Sequence, residues 1–364
     1  MNPFSSSFEN RHYGLDVVRA SSLLLILVVH CMIFVGAYYP LTPYLYFGVV
    51  AVELFFALSG FLIGSILLKI SQQGFTGIVL TQFWLKRWMR TLPAYFCVIA
   101  VIMVIDQRFY WSFLFFLQNY VPEQLAEFPV SWTISLEEWF YLTFPLLLFL
   151  AHKFFSGSKF STKYLYLSCC LIYIFGPFIT RAILLGNGFD GLWDLTMRKS
   201  IFIRFDTIGY GLLLAWIHRY HSHWIFNTWT KWGGFIGMFA LTALTWWIYN
   251  NSVDIYQGGL NWQNSLVVFP GVNLVCVCAI LFALHFKDYK NKPLAMFMTT
   301  ISITSYSLYL VHFQLFLYFL SFVTNEAQGW MYMAIAVIVT FMVGFLMNMT
   351  VERYFINKRN AWIK

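Results

Sequence analysis

The segment that most constrains this chain runs from Gly14 to His30, GLDVVRASSLLLILVVH. It is apolar along most of its length, yet it carries a carboxylate, a guanidinium and an imidazole. A helix turns about 100° per residue, so Arg19 and His30 fall within about 20° of each other and Asp16 within about 60° of both. One face of one helix therefore holds all three. The rise of ~1.5 Å per residue separates Arg19 from His30 by ~16 Å along the axis, roughly half the hydrocarbon thickness of a bilayer. Ionisable groups at that depth are costly and by default line a polar cavity or pathway. The plainer alternative is that His30 only bonds a neighbouring helix.

The run is one of many. Of 364 residues, 60% are hydrophobic and only 10% charged, with a mean hydropathy of +0.68, values that exclude a soluble domain of this size. Stretches long enough to cross a bilayer are expected near 16–37, 45–68, 91–106, 133–151, 164–185, 200–217, 232–249, 264–285, 299–322 and 330–351. The fold class expected is thus an all-α polytopic membrane protein of ten transmembrane helices. The run 91–106 is short, and 109–117 is too short to cross and is read as interfacial. A single membrane-embedded domain is expected over residues 1–364, with a retained first span, no fused soluble domain and no visible internal repeat.

Charge orients the bundle. With the N-terminus cytoplasmic, 17 of the 23 Lys and Arg residues fall in inside segments, against Arg108, Arg181, Arg198 and Lys199 outside and Arg19 and Arg204 within spans. That asymmetry predicts both termini inside, and it accounts for the net charge of +8 without a nucleic-acid partner. The six cysteines all lie in apolar runs without metal-ligand spacing, so no disulfide, metal or redox role is expected.

Several spans carry further polar groups. In VELFFALSGFLIG, Glu53 is expected at a depth similar to His30, an acid/base arrangement if the two meet and a structural hydrogen bond otherwise. In FWLKRWMRTLPAYF, Arg87 and Arg90 stand one turn apart beside Lys86, a pair able to grip a phosphate, although anchoring to anionic lipid competes. SWTISLEEWFYLTFP brings Glu137 and Glu138 in behind Trp132, and adjacent helical residues point about 100° apart. Trp111, Tyr120, Trp193, Asp190 and Asp194 could stack on sugar rings or form an interfacial belt. Arg204 and Asp206 read as a compensating pair, and Ser305, Tyr309 and His312 share a stripe near mid-membrane.

Six segments together resemble the acyltransferase-3 family of integral membrane acyltransferases: LDVVRASSLLLILVVH, FFALSGFLIG, Arg87-Trp88-Met89-Arg90 with Pro93, WTISLEEWFYLTFP, RFDTIGYGLLLA and SYSLYLVH. The resemblance implies that Arg19 and His30 match a first-span Arg and His needed for activity. It matches Arg87 and Arg90 to cytoplasmic arginines associated with acyl-CoA, and Glu137 to the principal acid of the fourth span. Glu53 stands where Asp is frequent, and Tyr354 where Pro is common. The stand-alone form of the family points to O-acetylation of lipopolysaccharide O-antigen or a similar polysaccharide at a bacterial inner membrane.

The expected chemistry follows. Acetyl-CoA is the donor, held by Arg87, Arg90 and Lys86; His30 is the general base, oriented by Glu137 or Glu53; and Arg19 or a backbone amide meets the oxyanion. Glu138, Trp132, Tyr309, His312 and Ser305 are candidate substrate contacts. The expected partners are acyl-CoA inside, a glycan or lipid-linked polysaccharide outside, and membrane lipid. A covalent acyl-His30 or acyl-Ser relay is an alternative within the class, and a proton-coupled transporter of a polar or anionic solute the alternative outside it. The sugar, the length of the acyl group and the oligomeric state are left open.

Overall fold

A computed structural model describes residues 11–35, 42–155, 161–253, 259–287 and 292–362. Lys159, Lys290 and Lys364 of the charge asymmetry lie outside the described residues, as does the expected end of the first span at 36–37. Apolar runs in lipid can satisfy their backbone groups only within the segment, so they become helices. The long ones are α1 (Tyr13–Val35), α2 (Thr42–Gln73), α3 (Gly77–Asp106), α4 (Trp132–Phe154), α5 (Thr162–Gly186), α6 (Phe205–Tyr220), α7 (Thr228–Ser252), α8 (Val268–Ala283), α9 (Lys292–Leu320) and α10 (Glu326–Met347). A π-turn at Asn348–Glu352 carries α10 into α11 (Arg353–Trp362), so the last helix extends well past the expected end at 351. Among the described residues there is no strand.

Each expected run holds a helix, but among the described residues only eight of these are long and apolar enough to cross a membrane. The other two are α6 and α7. With 16 residues, α6 spans ~24 Å, short of the ~30 Å hydrocarbon core. With 25 residues α7 is long enough, but its tryptophans and threonines dilute its hydropathy. Interior prolines do not end the spans: Pro93, Pro145 and Pro177 lie inside α3, α4 and α5.

The short α6 is largely buried and packs along α2. Two glycines permit that approach. A Cβ on Gly60 would stand 2.2 Å from the Ile208 carbonyl oxygen, and one on Gly211 2.1 Å from that of Ala57. Small residues at a crossing bring backbones together where lipid supplies no hydrophobic drive between helices.

The connection between α3 and α4 is not a simple surface loop. It forms short turns at Trp111–Leu114, Gln118–Tyr120, Pro122–Glu127 and Pro129–Ser131. The segment folds back against the helices: Tyr95 Oη donates to the Phe113 carbonyl at 3.1 Å and Trp139 Nε1 to that of Phe116 at 3.0 Å. Phe113 is fully buried, so part of the stretch read as interfacial is packed against protein.

Apolar packing divides into three clusters. One joins α2, α4, α5, α6 and α8; a second joins α3, the folded-back loop and α9; a third joins α1, α9 and α10. Tyr309 of α9 borders all three, and a polar cavity opens beside it.

Candidate active site

The cavity has a volume of about 110 Å³ and lies between α1, α2, α3, α4 and α9. Arg19 and Arg90 mark one end, with Arg87 close by over the Tyr141 ring, 5.6 Å from its centroid. Among the described residues, no carboxylate lies within ion-pair distance of Arg19, Arg87 or Arg90. Arg19 and Arg90 in the wall, with Arg87 beside it, outnumber the one carboxylate there, Glu137, a balance that can receive an anion. Lys86 is exposed nearby, and its carbonyl accepts from Arg359 Nη1 of α11 at 3.3 Å.

Glu137 stands in the wall of the cavity. Ser59 Oγ donates to its Oε1 at 2.8 Å, and Tyr141 Oη, one turn further along α4, to its Oε2 at 3.2 Å. Glu138 points elsewhere: Thr91 Oγ1 donates to its Oε1 at 2.9 Å, and it borders a separate apolar cavity of about 480 Å³ with Trp88, Phe96, Phe116 and Trp139. The 100° step between neighbours on a helix sends the two carboxylates to different sites. Ser305 lines the cavity while its hydroxyl donates to the Ser302 carbonyl at 3.0 Å.

At the other end Thr133 Oγ1 donates to Tyr309 Oη at 2.9 Å. The Tyr309 ring lies 5.4 Å from that of His312, and His312 Nε2 lies 2.9 Å from His30 Nδ1. Beyond this pair, Trp132 is buried under Arg198, whose guanidinium stands 4.8 Å from the indole centroid. Asp194 binds both Arg198 Nε and Lys199 Nζ at 2.5 Å. Burial pushes the Asp194 carboxyl up, but these two cations more than offset it and leave it below its ordinary range.

The geometry corrects three expectations. Glu53 does not meet His30; it pairs with Arg204 and accepts from Thr207 Oγ1 at 2.5 Å. Nor does Glu137 hydrogen-bond His30, whose polar partner among the described residues is His312. The depth estimate cannot supply the azimuth: His30 faces α9, whereas Glu53 faces α6. Asp16 also turns from the Arg19 face, binding Arg11 and accepting from Ser302 Oγ of α9 at 2.8 Å. Arg204 and Asp206 do pair, at 2.9 Å, and Arg181 joins them through Asp206 at 2.8 Å. The site residues missed in the sequence are Ser59, Thr91, Thr133, Tyr141, Tyr306 and Arg198. Thr133 and Tyr141 carried a signal, standing four residues on either side of Glu137, and Ser59 stood out on the Glu53 face of its span without being given a role.

Fold and site together define a multi-pass helical membrane protein with a cavity that holds Arg19, Arg90 and Glu137 and ends at Tyr309, next to a histidine pair. The chain belongs to the acyltransferase 3 family, whose acyltransferase domain matches residues 12–349. It is similar to the O-acetyltransferase OatA of Staphylococcus aureus, 24% identical over 347 residues covering 84% of this chain and 50% of that protein. It is also similar to the peptidoglycan O-acetyltransferase OatA of Listeria monocytogenes, 28% identical over 138 residues covering 32% of this chain and 22% of that protein. The matches thus span at most half the length of these relatives. No solved structure matches the chain.

Proposed function

We propose that the protein moves an acetyl group from acetyl-CoA, bound from the cytoplasm, to a hydroxyl of a surface glycan on the far side of a bacterial inner membrane. The observation that carries this reading is the cavity itself, with Arg19 and Arg90 in its wall, Arg87 beside them, and the His30–His312 pair next to Tyr309 at its other end. In this reading the chain crosses ten times, α6 and α7 included, with both termini cytoplasmic; the loop-charge asymmetry supports that orientation.

Arg87, Arg90 and exposed Lys86 receive the phosphates, and Arg19 lines the path of the pantetheine arm. Arg19 lies ~16 Å along α1 from His30, too far to serve an oxyanion formed beside that imidazole. The Tyr309 hydroxyl does not take that part either, since it donates to the Val130 carbonyl at 3.1 Å and accepts from Thr133 Oγ1. His30 Nε2 accepts the proton of the glycan hydroxyl as its oxygen bonds to the thioester carbonyl carbon. Collapse of the tetrahedral intermediate breaks the carbon–sulfur bond, and the proton passes from His30 to the departing thiolate. Glu137 holds Ser59 and Tyr141 in place along the route. Trp132, expected as a substrate contact, is instead buried beneath Arg198 and against Phe56, so it offers no open face to a sugar.

The acceptor is a surface glycan, lipopolysaccharide O-antigen or, as the name of the Listeria relative brings in, peptidoglycan. Deleting the gene and restoring it as wild type or His30→Ala, then measuring O-acetyl groups on each glycan by mass spectrometry, tests the proposal. Acetyl present with wild type and absent with His30→Ala supports it and identifies the glycan; unchanged acetylation overturns it. Acetyl trapped on purified protein without acceptor would move the route to a covalent relay, with Ser59 or His30 as carrier.

A further inference from the structure

We infer that His312 is a positioning residue that holds His30 in the tautomer protonated at Nδ1, so that Nε2 is presented as the base. This deepens, and rests on, the acyl-transfer reading above. His312 Nδ1 lies 2.7 Å from the carbonyl oxygen of Tyr309, one turn earlier on α9. A carbonyl only accepts, so Nδ1 of His312 carries the hydrogen. Neutral His312 then has a lone pair at Nε2, and the contact of 2.9 Å to His30 Nδ1 runs in one direction: His30 donates and His312 accepts.

Ring geometry supports a true hydrogen bond. The two imidazoles are within 17° of parallel, with centroids 5.1 Å apart. That separation is close to the nitrogen–nitrogen distance plus the two ring radii, which rings reach only by meeting edge to edge. The N–H of one therefore points along the in-plane lone pair of the other. His312 is fully buried between Tyr309, Phe313 and Phe316, and both its ring nitrogens are engaged. His30 is only partly buried, and among the described residues no hydrogen bond engages its Nε2.

The relay thus runs from the Tyr309 carbonyl through His312 to His30, with a neutral imidazole where acid/base pairs often use a carboxylate. An orienting group fixes which ring nitrogen carries the proton. Here it spares the bundle a second buried charge, and it explains why neither Glu53 nor Glu137 needs to reach His30.

The test uses full-length protein in lipid nanodiscs with ¹⁵N-labelled histidine, the His30 signals being assigned by their loss in His30→Asn. Wild-type His30 is expected to be protonated at Nδ1, and His312→Leu to release it to the form protonated at Nε2. With acetyl-CoA and the glycan, His312→Leu should lower kcat by roughly 100-fold or more while KM for acetyl-CoA moves less than about three-fold, as for a group acting only on the proton transfer. His312→Gln, whose side-chain oxygen can accept from Nδ1–H, should recover activity to within about ten-fold of wild type. Wild-type His30 protonated at Nε2, or His312→Leu turning over at the wild-type rate, overturns the inference. If the tautomer responds as expected but wild type transfers no acetyl, the positioning role stands and the acyl-transfer reading falls.

Discussion

Two buried charge clusters sit in this bundle and behave oppositely. Around α6, Glu53, Asp206, Arg181 and Arg204 form a sealed network of two acids and two bases, each ion-paired, with Arg204 packed over the Phe269 ring. Beside α1, Arg19 and Arg90 line a cavity with Arg87 next to it; Glu137 shares the wall, but among the described residues none of the three guanidiniums is ion-paired. In sequence both are the same signal, ionisable residues inside apolar runs. A closed and neutral cluster fastens helices; an open one with surplus charge awaits a ligand.

The sharpest way to break that contrast is at the histidine. His30→Ala should lower acetyl transfer by about 10²–10⁴-fold, the usual worth of a general base, with the protein still folded by size-exclusion and thermal melting in detergent. Next comes the sealed network. Arg204→Met strands Glu53 and should cost about 3–5 kcal/mol of stability, read as a lowered Tm and poor recovery from the membrane. Removing both partners, as Glu53→Leu with Arg204→Met, should recover part of that loss, because no unpaired charge is left between them. The same double change would be the wrong remedy in the open cluster.

Smaller effects are expected at the anion end. Arg87→Ala and Arg90→Ala should each weaken acetyl-CoA binding by about 1.5–3 kcal/mol, measured as a raised KM that added salt partly mimics in wild type. The smallest concerns Asp194, which binds Arg198 and Lys199. Its carboxyl is depressed in the folded protein, so its contribution is present above the unfolded value of about 3.9 and fades as pH falls through the folded one. Wild type should therefore lose a small stability advantage over Asp194→Asn in acid, seen as converging melting temperatures.

Much of the fold was legible because lipid leaves so few alternatives. Every expected span holds a helix, and the adjacent carboxylates Glu137 and Glu138 diverge as helical geometry requires. What misled was the inference from equal depth to contact. Glu53 and His30 could be given similar depths, but depth says nothing about which neighbour a helix face meets, and that depends on the packing order of α1, α2, α6 and α9. The folded-back loop was illegible for a related reason: its apolar residues fit an interface as well as an interior, and its hydrogen bonds from Tyr95 and Trp139 depend on distant side chains.

The sequence by itself determined that this chain is a helical membrane protein, where its helices lie, and that α1 carries a guanidinium and an imidazole on one face, since these follow from local composition and the helical repeat. Only the tertiary structure decided what those groups meet: a cavity beside Arg19, a carbonyl-anchored histidine beside His30, and a closed ion network around Glu53. Whether a buried charge is neutralised depends on residues far away in the chain, such as Arg204 for Glu53, and those meet only once the helices have packed.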